Sequence, residues 1–202
     1  MFIVLEGIDG AGGGTQRKKL EEFFAGKKVL TLKYPYYETP VGKMIKDFLY
    51  SDVKLPPEKQ FLLFFNQWGL ESPKIEEFRK TGLVIADRWV TSGIVYQGLQ
   101  GVPRKDLIEA TRIFKLAIPD MIIFLDVPAS VVKGRDMKGK EGKENRFEEK
   151  HDFLEKCYRE YLELMKENAI APWVRIDGTK PIGEVTELIV GEIEKFDILH
   201  LT

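Results

Sequence analysis

Cysteine is almost missing: Cys157 stands alone in a chain of 202 residues. One thiol can neither close an intrachain disulfide nor furnish a cysteine-based zinc site, and its scarcity fits a reducing compartment. Cys157 is expected to be a small buried hydrophobe. Excess charge of one sign is missing too, since 31 Lys and Arg face 32 Asp and Glu. With a pI near 6.2, nothing electrostatic favours a nucleic-acid backbone as partner, and any anion must be recognised locally. No apolar run approaches the roughly 20 residues that a membrane span needs, so no membrane partner is expected. Met1-Phe2-Ile3-Val4-Leu5-Glu6 places an acid where a signal peptide would continue its apolar run. That segment reads as a strand, and the expected location is cytoplasmic. Repeats and low-complexity linkers are also lacking, so residues 1–202, 44% of them hydrophobic, are expected to form one domain around one core.

What the chain does contain is a series of short apolar runs: Phe2 to Leu5, Val29 to Leu32, Leu83 to Ala86, Met121 to Leu125 and Trp173 to Ile176. They are continuous rather than alternating, the pattern of strands buried on both faces of a parallel sheet. Helical spacing lies between them. Phe61, Phe64, Phe65 and Trp68 follow i, i+3, i+4, i+7, and Phe147, Leu154, Tyr158, Tyr161 and Met165 keep one helix face apolar. Alternating strand and helix predict an α/β fold with a parallel five-stranded sheet flanked by helices.

The first strand runs straight into Gly7-Ile8-Asp9-Gly10-Ala11-Gly12-Gly13-Gly14-Thr15-Gln16. Glycines at a strand-to-helix turn let backbone N–H groups converge on a phosphate, and the helix N-terminus adds partial positive charge. Gly7 and Gly12 match the phosphate-loop pattern GxxxxGK[ST], but Gly13 stands in place of the lysine and Gly14 in place of the hydroxyl. After the third strand come Asp87-Arg88-Trp89. An acid and a base at the ligand-binding edge of a parallel sheet suit phosphoryl chemistry better than the alternative, a surface ion pair capping the following helix. Residues 135–146 read Arg-Asp-Met-Lys-Gly-Lys-Glu-Gly-Lys-Glu-Asn-Arg. That composition fits a solvated loop or a cationic lid over an anionic substrate.

Taken in order, Leu5-Glu6-Gly7-Ile8-Asp9-Gly10-Ala11-Gly12, Tyr34-Pro35, Leu62-Leu63-Phe64, Asp87-Arg88-Trp89, Ser92-Gly93, Tyr96-Gln97-Gly98, Asn145-Arg146-Phe147-Glu148 and Asp177-Gly178-Thr179-Lys180 resemble the thymidylate kinase family over nearly the whole chain. The resemblance implies a P-loop nucleoside monophosphate kinase that uses ATP and Mg2+ to phosphorylate dTMP, and a homodimer. It implies that Gly7, Asp9, Gly10, Ala11, Gly12, Gly13, Gly14 and Thr15 form the loop for the ATP phosphates, with Arg135, Thr179 and Lys180 around adenine. Asp87 would orient the magnesium ion or its water. Arg88 would bind the acceptor phosphate, and Arg146, with Lys138, Lys140 and Lys143, would belong to a lid at about residues 135–147. The acceptor would also meet Asp9, Tyr34, Phe64 under its base, Trp68, Ser92, Tyr96 against the sugar, and Gln97.

Three departures bear on activity. Gly13 removes a cation and Gly14 a magnesium ligand, which predicts nucleotide binding that outlasts catalysis, with the lid cations as replacements. Reinstating both groups through Gly13→Lys with Gly14→Thr is expected to raise turnover at least about tenfold. Trp68 stands where the family has an arginine for the base, and Tyr36-Tyr37-Glu38 lacks an arginine near the acceptor phosphate. A kinase for another nucleoside monophosphate and a nucleotide-binding protein without turnover are the alternatives these departures leave open.

Overall fold

The computed structural model describes residues 1–132 and 151–200. Five parallel strands form one sheet: β1 (Phe2–Glu6), β2 (Val29–Lys33), β3 (Leu83–Asp87), β4 (Met121–Asp126) and β5 (Trp173–Asp177), in the order β2-β3-β1-β4-β5. All five expected apolar runs are strands. The three central ones are buried nearly throughout, whereas the edge strand β2 is mostly half-buried and β5 is half-buried or exposed at all but one residue. A strand flanked on both sides and covered on both faces has no polar side to show, hence its continuous hydrophobic run.

Helices α1 (Gly13–Phe23), α2 (Pro40–Tyr50), α3 (Pro57–Arg79), α4 (Val90–Gly98), α5 (Arg104–Ile113), α6 (Ala129–Val132), α7 (His151–Lys166) and α8 (Ile182–His200) flank the sheet. Along α3, Phe61, Phe65 and Trp68 are buried and Phe64 half-buried, while Leu62 points outward. On α7 the stripe is turned slightly from the expected one. Leu154, Cys157, Tyr161 and Leu164 are its buried residues, and Tyr158 and Met165 only border it. Cys157 is, as expected, a buried free thiol, and burial raises its pKa. Trp89, fully buried behind the C-terminal end of β3, packs edge-on against Phe2 and Tyr34 at 5.5 and 5.1 Å between ring centres. It anchors the carboxyl edge of the sheet, where ligands of parallel α/β proteins bind.

Candidate active site

Strand β1 ends at Glu6, and the chain turns through residues 7–12 into α1. Gly10 and Gly12 have φ of 79° and 109°, a left-handed backbone that side chains disfavour, so the turn requires glycine there. Gly12 caps α1, and the amides of Gly13 and Gly14 occupy the first turn, where a helix has no acceptors of its own. These donors, with the helix dipole, can cradle a phosphate. A small cavity at its base is lined by Gly7, Ala11, Gly13, Asp87 and Arg88.

Asp87 is the last residue of β3 and lies against that helix start. A Cβ built on Gly13 would collide with Asp87 Oδ1 and lie 3.3 Å from Cγ, so the carboxylate fills the space a side chain at position 13 would take. Burial raises the Asp87 pKa, while the charges of Arg88, Lys33 and Arg17 pull it down. A lysine reinstated at position 13 must therefore push Asp87 aside, which the simple restoration expected from the sequence did not foresee.

One residue on, Arg88 has φ 71°, a strained conformation for a residue with a side chain, at about 1–3 kcal/mol. This turn aims the guanidinium across the end of β1. It donates to Asp9 Oδ1 at 2.6 Å, to the Gly7 carbonyl at 3.0 Å and to Ser92 Oγ at 3.1 Å. Burial works against its charge, yet Asp9 and the neighbouring acidic groups hold its pKa well above the ordinary arginine value. Tyr96 donates to the other Asp9 oxygen at 3.0 Å.

Beneath this net sits Glu6, an acid inside an otherwise apolar strand. Its carboxylate accepts from the Trp89 amide at 2.9 Å, from Thr91, from Ser92 at 2.7 Å and from Tyr161 at 2.8 Å. Burial raises its pKa, and Arg88, Thr91, Ser92 and the Trp89 amide oppose that rise. Tyr161, from α7, has its own pKa raised by burial and by Glu6. Glu6 and Tyr161 escaped the sequence reading, although an acid within a buried strand was a signal that partners had to exist.

The larger cavity, about 550 Å3 with its solvent-open mouth, brings together all eight residues expected around the acceptor: Asp9, Tyr34, Phe64, Trp68, Arg88, Ser92, Tyr96 and Gln97. Phe64 and Trp68 stack at 6.1 Å along one wall. Trp68 presses its ring edge on Gly93, where an added Cβ would meet it at 2.7 Å. Its indole nitrogen is buried without a hydrogen-bond partner, as is the Tyr34 hydroxyl. Gln97 donates to Gln60 at 3.3 Å. Arg88 lines both cavities and so stands at their junction.

Thr179 donates twice to Asp177 Oδ1, and Lys180 pairs with Glu184. An added Cβ on Gly178 would lie 3.7 Å from the Ala11 carbonyl, so this turn borders the phosphate cradle. Arg135, Arg146, Phe147 and the lid lysines lie outside the described residues.

A thymidylate kinase family model matches residues 5–189. The thymidylate kinase of Thermosipho melanesiensis is 36% identical, aligned over 92% of this chain and 93% of its own. The human thymidylate kinase is 31% identical over 92% and 86%. Among solved structures, the thymidylate kinase of Candida albicans superposes with a TM-score of 0.78 at 25% identity, over 97% of this chain and 92% of that one.

Proposed function

The chain belongs to the thymidylate kinase family, and from that membership we propose how its residues carry out phosphoryl transfer from ATP to dTMP. It is a nucleoside monophosphate kinase, and its product is dTDP. The observation that carries the residue assignment is the position of Arg88 between the phosphate cradle and the aromatic-walled cavity. A guanidinium there can hold the acceptor phosphate bidentately and face the donor's terminal phosphate.

The base lies along Phe64, with Trp68 closing the wall where the family offers a charge. Ser92 and Gln97 supply polar contacts, and Tyr34 completes the lining. Asp9 positions Arg88 and Tyr96 and faces the acceptor's sugar. Tyr96 packs against C2′, leaving no room for a ribose hydroxyl. On the donor side, the amides of residues 10–15 bind the ATP phosphates. Thr179 and Lys180 border the adenine, and the chain works as a single kinase domain.

Magnesium in such centres takes most ligands from phosphates and water. Gly14 brings no hydroxyl, and no group of three His, Cys, Asp or Glu among the described residues could hold a metal. Asp87 fits as the one protein contact, lying against positions 13 and 14. When bound, the ion neutralises phosphate charge. The chain's own work is alignment: the cradle fixes the donor, Arg88 the acceptor, and the shared boundary sets the in-line approach.

Two further readings follow from the surface. Leu62 and Leu70 of α3 are 54% and 69% exposed, a face suited to a second copy of the chain. No helix among the described residues is long and apolar enough to cross a membrane, and family membership supports a cytoplasmic site of action. A coupled assay of ADP release with dTMP, dUMP and other nucleoside monophosphates tests the function. Turnover highest with dTMP is expected, and ATP binding without turnover on any acceptor would replace the kinase reading with that of a nucleotide-binding protein.

A further inference from the structure

The start of α1 has lost both polar side chains of a phosphate loop, and the neighbouring strand stands ready to replace one of them. Lys33 is the last residue of β2 and pairs in register with Asp87 at the end of β3. Residues paired in this way project to the same face of a sheet. Two residues earlier, Thr31 accepts a hydrogen bond from Arg17 of α1 at 3.1 Å, so this is the face that α1 covers. The Lys33 ammonium reaches to 3.9 Å from the Cβ position of Gly14, where Asp87 Oδ2 lies at 3.4 Å. The charge of Lys33 also acts on Asp87, in the direction of keeping it ionised.

Four other cations near the site are committed elsewhere. Arg88 is bound to Asp9, Ser92 and Gly7 on the acceptor side. Arg17 is pinned to Thr31 and Glu21, one turn further into the helix, and Lys19 pairs with Glu22. Lys180 pairs with Glu184. Lys33 is exposed, on a long flexible stem, and already beside the helix start.

We propose that Lys33, carried by the sheet rather than by the loop, supplies the positive charge for the donor's distal phosphates that Gly13 no longer provides. The bare glycines are then part of the arrangement: a side chain longer than a methyl at position 14 would stand between the strand-borne ammonium and the phosphates the helix start binds. This assignment rests on the kinase reading for the identity of the donor as ATP, but its test does not require turnover.

The test compares Lys33→Met and Lys33→Arg with the unaltered full chain, titrating ATP and dTMP separately by calorimetry, with and without magnesium. Lys33→Met is expected to weaken ATP at least about tenfold, the scale of one charge-assisted hydrogen bond, and to leave dTMP within about twofold. Lys33→Arg should recover most of the ATP affinity. Retained dTMP binding shows that the variant is folded. ATP affinity within about twofold of the unaltered protein in Lys33→Met would overturn the proposal. If the unaltered protein binds ATP yet turns over no acceptor, the kinase reading fails, while the ATP titrations still decide the role of Lys33.

Discussion

On the acceptor side of the site, Arg88, Asp9, Tyr96, Ser92, Glu6 and Tyr161 already occupy one another in a closed net of hydrogen bonds. On the donor side, α1 begins with Gly13 and Gly14, and Asp87 and Lys33 approach from neighbouring strands. The first region holds its charges ready in a rigid, buried frame, which lowers the reorganisation needed when a phosphate arrives. On the proposed reading the second recognises phosphate through backbone amides, which only a proline substitution would remove, and borrows its side-chain charges from the sheet. Loss of a side chain should therefore be costly on the acceptor side. Within the donor-side loop, at Gly13, the sensitive change is the gain of one.

The largest effect is expected from Arg88→Ala. It strands the carboxylate of Asp9, and breaking such a largely buried pair costs about 3–5 kcal/mol of stability. Affinity for dTMP should fall at least about a hundredfold, with ATP changing by less than about threefold. Arg88→Lys keeps a charge in place and guards against simple unfolding. Calorimetric titration of each nucleotide decides the matter, and equal losses for both would erase the division between the two regions.

Next comes Glu6→Gln. Four donors converge on the Glu6 carboxylate, and an amide turns a donor of its own toward some of them, at about 1–3 kcal/mol for each group left unsatisfied. The sign of its pH dependence follows from burial, which raises the folded pKa above 4.5. The folded state then holds the proton more tightly than the unfolded one, so the Glu6 contribution is full below about pH 4.5 and declines as pH rises through the folded value. Because Gln does not titrate there, the stability gap between the two proteins should narrow from pH 5 to pH 8 in urea denaturation. A widening gap would mean that the donors and Arg88 outweigh burial at Glu6.

The same contrast explains what could be read from the sequence. The sheet was legible because β1, β3 and β4 are buried on both sides and so are written as unbroken apolar runs. Ser92, Tyr96 and Gln97 were named from the family resemblance, and the structure puts them on one short helix directly behind Asp87-Arg88, lining the larger cavity. Lys33 was not legible, since its meaning depends on β2 lying beside β3, and strand order is not written in any local pattern. Nor could the sequence reveal that Asp87 takes the space vacated at position 13. The small rotation of the α7 stripe toward Cys157 and Leu164 reflects how that helix meets its neighbours, which spacing alone leaves undetermined.

On the donor side the decisive pair is Gly13→Ala against Gly14→Ala. Both gain similar helix propensity, up to about 1 kcal/mol. At position 13 the new methyl displaces the Asp87 carboxylate, whereas at position 14 it makes ordinary contact at 3.4 Å. Turnover should fall about tenfold or more for Gly13→Ala and stay within about threefold for Gly14→Ala. Similar rates in the two variants would show that the place of Asp87 beside position 13 is immaterial to the chemistry.

The smallest effect concerns shape alone, and it asks whether the acceptor net discriminates without using charge. Tyr96 lines the cavity while its hydroxyl is fixed by Asp9, so the ring cannot swing away from a sugar lying against it. UMP and dUMP differ only by the hydroxyl that such a ring would meet. Fitting it would force an off-rotamer side chain or a shifted ligand, at about 1–3 kcal/mol, so dUMP should be preferred by roughly tenfold in kcat/KM. In Tyr96→Phe the ring remains but its tether is lost, and the preference should shrink by only a few-fold. In Tyr96→Ala the ring is gone and the two substrates should converge. An unaltered preference in Tyr96→Ala would move the discrimination from this ring to another wall of the cavity, and the ring held by Asp9 would then play no part in the choice of sugar.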